Sequence, residues 1–170
     1  ISSILRYGAM AHARSEVLTY TGAGFRSATF AEVAERAAQL AHGLRERLGI
    51  TGDQRVGTFM WNTQEHVEAY LAVPSMGAVI HTINIRLFPE QIAYIIQHAD
   101  DRVVIVDDTL VPLLAKLADW TPPPALGTMP EAANNDPITV MLWGITPERL
   151  QEWARAQDGT SIDLRGSAAA

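Results

Sequence analysis

The chain has 170 residues, 48% of them hydrophobic, which suits one domain with a sizeable core, or one domain and a tail. Its net charge is −6 and its basic residues are scattered and nearly all arginine, which excludes a binder of the nucleic-acid backbone. It has no cysteine, so a disulfide framework, a thiolate zinc site and a cysteine nucleophile are excluded as well.

No apolar run approaches the roughly 20 residues of a membrane span. No basic-then-apolar signal pattern follows Ile1. We therefore expect a soluble, cytoplasmic protein. The absence of an initiator Met leads us to expect a true start upstream.

In chain order, Ile4 to Ala13 reads as helix. Glu16 to Tyr20 and Phe25 to Ala28 read as two strands around Gly22-Ala23-Gly24, whose glycines suit a tight hairpin. Thr29 and Glu32 form the ends of a capping box. Behind it, Phe30, Val33, Ala34, Ala37, Leu40, Ala41, Leu44 and Leu48 follow the stripe of a long amphipathic helix, with Gly49 as its terminator. Arg55 to Met60 is a strand. Asn62-Thr63 then caps a helix with Val67, Tyr70 and Leu71 on one face, ended or kinked by Pro74.

Gly77 leads into a short strand, Ala78 to Thr82. Pro89 opens a helix whose apolar stripe is Ile92, Ile95, Ile96 and Ala99. Asp100-Asp101 turns into Arg102 to Val106, the clearest buried strand. Asp107-Asp108-Thr109 caps a helix from Leu110 to Ala118. Thr121 to Pro137 holds five prolines and reads as a linker. Ile138 to Trp143 reads as a strand, Thr146 to Gln157 as a short helix, and Asp158 to Ala170 as a frayed end.

Alternating helices and strands with short connections predict an α/β fold. Its sheet is mostly parallel and doubly wound, with helices on both faces, an N-terminal β-hairpin and a divergent C-terminal tail. The domain reading is residues 1–119 as an α/β subdomain, 120–137 as a Pro-rich linker and 138–170 as the tail.

Chemistry is sparse. Gly22-Ala23-Gly24 is a lone G-x-G followed by a strand rather than a helix, so it reads as a hairpin turn, not a phosphate loop. His12, His42, His66, His81 and His98 lack metal-ligand spacing and read as structural or surface residues, with Glu65, His66 and Glu68 around an exposed helix face. Asp107 and Asp108 follow an apolar strand at the end where α/β sheets place ligands, and such a pair can hold Mg²⁺. The next helix needs an N-cap, however, which favours Asp108 or Thr109 as a cap. Lys116 is the only lysine and no Gly-rich loop precedes it, so a Walker-type loop is absent, as is a G-x-S-x-G elbow. No residue is assigned as catalytic, cofactor-binding or metal-ligating.

Several stretches in order resemble the N-terminal region of the adenylate-forming superfamily, and most of all its medium- and long-chain fatty-acid–CoA ligases. They are Thr29 to Val33, Leu48 to Ile50 with Gly52 to Val56, Trp61 to Thr63 with Glu68 to Tyr70, and Ala72 to Val79. His81 to Leu87, continuing through Pro89 to Ile95, is the most specific, and His98 to Asp101 completes the set. The resemblance runs from about residue 5 to 118. From Trp120 onward no alignment with the family is found at all.

The resemblance implies, for a full enzyme, a fatty acid activated by ATP and Mg²⁺ to an acyl-adenylate, from which the CoA thiol displaces AMP. It also implies what is missing. The Ser/Thr/Gly-rich phosphate loop ending in Pro-Lys, the later adenine and acidic motifs, and the catalytic lysine of a C-terminal domain do not occur, and Lys116 matches neither lysine. Asn84 and Arg86 follow a strand end, where they either line a cleft or order the loop.

The expectation is an inactive N-terminal fragment of an ATP-dependent ligase, needing no cofactor itself. A dimerisation or interaction module from the same family is the alternative. A receiver-like domain using Asp107-Asp108 is a third, against which the missing strand-end lysine counts. Exposed sheet edges would give marginal stability or self-association.

Overall fold

A computed structural model gives the fold and describes residues 1–115 and 139–142. The elements are α1 (Ser2–Ala11), β1 (Glu16–Tyr20), β2 (Phe25–Thr29), α2 (Phe30–Leu48), β3 (Arg55–Phe59), α3 (Gln64–Ser75), β4 (Val79–Thr82), α4 (Pro89–Ala99), β5 (Asp101–Val106), α5 (Val111–Ala115) and β6 (Thr139–Leu142). The chain divides into two compact units, Ile1–Gln54 with Trp61–Ile80, and Arg55–Met60 with His81–Ala170.

The first unit is built on α2. Its capping box is present: the Glu32 amide donates to Thr29 Oγ1 at 3.3 Å, and the Thr29 amide donates to Glu32 Oε2 at 2.7 Å. At the other end Gly49 takes φ 69°, a left-handed cap that side chains resist. Val33, Ala37, Leu40 and Leu44 are fully buried. They pack with α3, which presents Ala69, Ala72 and Val73. Each full burial of a Val, Leu or Ile is worth roughly 2 kcal/mol, so this helix pair anchors the unit. The β1–β2 hairpin is antiparallel with Tyr20 opposite Phe25.

The face of α3 differs from the expected one. Val67 and Leu71 are half-buried and Tyr70 is exposed, while Gln64, Glu65, His66 and Glu68 are buried. The reason is charge supplied from other elements, described below. The first helix also ends earlier than the sequence suggests. The carbonyls of Ala13 and Ser15 accept from the Ala31 and Phe30 amides, so the chain past Ala11 is tied to the start of α2.

The second unit carries the parallel sheet. Strand order is β4-β3-β5-β6, and β3, β5 and β6 run parallel. The apolar run of β5 buries Val103 to Val106 on both sheet faces. On one face Phe59, Val104 and Val106 form a core with Ile83, Ile92, Ile96, Leu110 and Val111. Helix α4 starts at Pro89 and buries Ile92, Ala93 and Ile96, with Ile95 half-buried. Asp100 alone makes the turn, at φ 53°, so Asp101 opens the strand and is buried.

Strand β6 falls within the predicted strand 138–143. Lys116, the end of the helix predicted to Ala118, the linker 120–137, the helix 146–157 and the frayed end lie outside the described residues.

Candidate functional site

Two polar clusters stand out, one in each unit. In the first unit, Arg26 on β2 grips Glu65 in the first turn of α3 with two bonds, NH1 to Oε1 at 2.7 Å and NH2 to Oε2 at 2.8 Å. Burial acts to raise the Glu65 carboxyl, but the Arg26 bond and charge, together with a bond from its own backbone amide and one from Thr63, outweigh it and hold the group below the usual range. One turn on, the fully buried Glu68 accepts from Arg36 Nε of α2 and from Gln64 Nε2, each at 2.7 Å. Thr19 Oγ1 of β1 accepts from the Gln64 amide at 3.0 Å, an orphan donor of the helix start. These bonds explain how α3 buries acids: hairpin and α2 deliver the compensating groups. The expectation that Glu65, His66 and Glu68 lie on an exposed face is therefore corrected. Burial holds the His66 imidazole below its ordinary value, partly countered by a backbone bond involving Trp61.

In the second unit, His81 on β4 and Asp101 on β5 meet at 2.8 Å, Nδ1 to Oδ2. The strand between them, β3, places Gly57 beneath the pair. A Cβ there would lie 3.2 Å from Asp101 Oδ2 and 3.1 Å from Ile83 Cδ1, so any larger residue would crowd these side chains. The Asp101 side chain is 0% exposed and that of His81 25%. Burial pushes the Asp101 carboxyl up, opposed by the His81 bond and charge and by Arg55. No local period marks this pair, because its members lie 20 residues apart on separate strands.

The other candidates fall apart spatially or take structural roles. Gly22-Ala23-Gly24 is the hairpin turn, closed by the Thr21 amide on the Gly24 carbonyl at 2.9 Å. His12 and His42 are exposed, His12 edge-on to Tyr7 with ring centres 5.5 Å apart. His98 is exposed and stacks on Tyr94, 5.4 Å apart. Asn84 orders its loop: its Oδ1 accepts from the Arg86 amide at 3.0 Å. The cap after β5 is Asp107 rather than Asp108 or Thr109, since Asp107 Oδ1 accepts from the Thr109 amide at 3.0 Å. Among the described residues no group of three or more His, Cys, Asp or Glu side chains gathers to hold a metal. Among them, too, no helix is long and apolar enough to cross a membrane.

Taken together, the hairpin, the α2–α3 pair and the parallel sheet define a mixed α/β domain of the kind found at the front of CoA ligases. A fatty acyl CoA synthetase of Mycobacterium tuberculosis shares the fold, with a TM-score of 0.65 at 23% identity, over 96% of this chain and 30% of that one. The chain belongs to the AMP-binding enzyme family, whose model matches residues 5–157. That match passes Trp120, which corrects the expectation that nothing beyond this residue aligns with the family. The medium-chain-fatty-acid–CoA ligase of Ectopseudomonas oleovorans is 42% identical over 118 residues, 69% of this chain and 21% of that protein. The long-chain-fatty-acid–CoA ligase of Thermus thermophilus is 50% identical over 103 residues, 59% of this chain and 19% of that protein. The chain thus spans about a fifth of the length of the curated relatives it matches.

Proposed function

We propose that these residues supply the N-terminal scaffold of an ATP-dependent, AMP-forming fatty-acid–CoA ligase of the cytoplasm, and that they do not activate an acid unaided. The observation that carries this reading is the likeness to fatty-acid–CoA ligases over about a fifth of their length, in a sequence with one lysine and no Ser/Thr/Gly-rich loop.

Adenylation makes a carboxylate reactive by giving it a nucleotide leaving group. That demands backbone amides and cations arranged around a triphosphate. The polar groups described above are instead spent on each other: arginines on buried acids, Thr29 and Asp107 on helix starts. Their role is to hold a scaffold, while ATP, Mg²⁺, CoA and the fatty acid would be bound by the whole ligase.

The test is ATP–pyrophosphate exchange with fatty acids of several lengths, using the pure chain beside a full-length relative. The chain is expected to give no exchange above background. Robust exchange by the chain alone would overturn the reading.

A second reading, a module for self-association or for docking on a full-length ligase, has one observation in its favour. The outer face of the hairpin exposes Leu18, Tyr20 and Phe25, at 61%, 64% and 73%. Light scattering separates the two: a strict monomer that also ignores full-length relatives disfavours it.

A further inference from the structure

The Asp101 carboxylate is buried with one oxygen bonded to His81 and the other, Oδ1, without a hydrogen-bond partner among the described residues. A buried carboxylate has about four lone-pair sites to satisfy, so a single donor leaves its charged form poorly served. Strand β4, which supplies that donor, is only lightly held. It has four residues, none of them fully buried, and is an edge strand among the described residues. Just after it, Ile83 enters the core and its amide donates to the Thr58 carbonyl of β3 at 3.0 Å. The exposed residues Asn84 and Arg86 follow.

We propose that His81 and Asp101 form a proton-linked latch on the carboxyl end of β4: with Asp101 protonated, His81 and Ile83 stay docked on β3, and with Asp101 ionised that segment opens more readily, letting water reach the carboxylate. The geometry supports a latch because the pair bridges β4 and β5 across β3, with the His81 side chain partly exposed and that of Asp101 fully buried. Three ionisable groups act on Asp101 from the surrounding elements. His81 on β4 and Arg55, its register partner on β3, favour the charge, while Asp100 at the end of α4 opposes it. Burial outweighs them and raises the carboxyl, so ionisation and docking oppose each other.

Amide hydrogen exchange on the full chain, read by NMR and corrected for intrinsic rates, tests this. The protection of Ile83 relative to Ile105 in β5 is expected to fall severalfold as pH rises from the ordinary carboxylate value of about 4 through the raised one, and to level off above it. In Asp101→Asn the ratio should stay flat. A flat ratio in the natural chain, or the same fall in Asp101→Asn, would overturn the latch. Direct ¹³C titration of the Asp101 carboxyl guards against a variant that does not fold. Its midpoint is expected to lie where the loss of Ile83 protection levels off, and a loss that continues more than about one pH unit above that midpoint would likewise overturn the proposal.

Discussion

Arg26 and Glu65 join the hairpin to the start of α3 through two parallel bonds of 2.7 and 2.8 Å, a fork-to-carboxylate geometry that fixes orientation as well as charge. Glu65 is nearly buried, whereas the Arg26 side chain is about half exposed. Arg26→Ala is therefore expected to lower stability by roughly 1–2 kcal/mol, less than for a pair shielded on both sides. Urea unfolding of the two proteins measures it, and no change would mean that the hairpin is held by packing alone.

Arg36 and Glu68 should weigh more. Glu68 is wholly enclosed, and Arg36→Ala withdraws the guanidinium that contacts it. The expected loss is about 3 kcal/mol, whereas replacing both by leucine should recover much of it, since no buried charge then remains. A double variant no better than the single one would show that the pair matters through shape rather than charge.

Acid should loosen the first unit through Glu65. Its folded pKa lies below the unfolded value, so its contribution is present above the unfolded value and is lost as pH falls through the folded one. Melting temperature against pH, natural chain minus Glu65→Gln, is expected to shrink below about pH 4.5. A difference that grows on acidification would contradict the direction of this shift.

Gly57→Ala tests the crowding under the latch. The added methyl meets Ile83, Asp101 and Val104 at 3.1 to 3.2 Å, with backbone strands on either side. Overpacking of this kind costs about 1–3 kcal/mol. Denaturant midpoints of the variant and the natural chain decide it, and an unchanged midpoint would mean that β4 shifts freely.

Much of the fold was written locally. Thr29 with Glu32 announced the start of α2, Gly49 its end and Pro89 the start of α4, because caps depend on residues three or four apart. The run Val103 to Val106 marked the central strand, as only a strand covered on both faces stays apolar at every position. The G-x-G turn was legible for the same reason. The resemblance to CoA ligases was likewise carried by order along the chain, and the family match at residues 5–157 agrees with it.

What the sequence alone determined, then, was the order of the described elements, the caps at Thr29, Gly49 and Pro89, and the family. Only the tertiary structure decided that Glu65, His66 and Glu68 turn inward and that Asp101 leans on His81. An acid reads as exposed unless its cation is known, and here Arg26, Arg36 and His81 each come from another element, 20 to 39 residues away. Desolvation is a property of the assembled packing, so no local pattern of hydrophobic and charged residues can announce it.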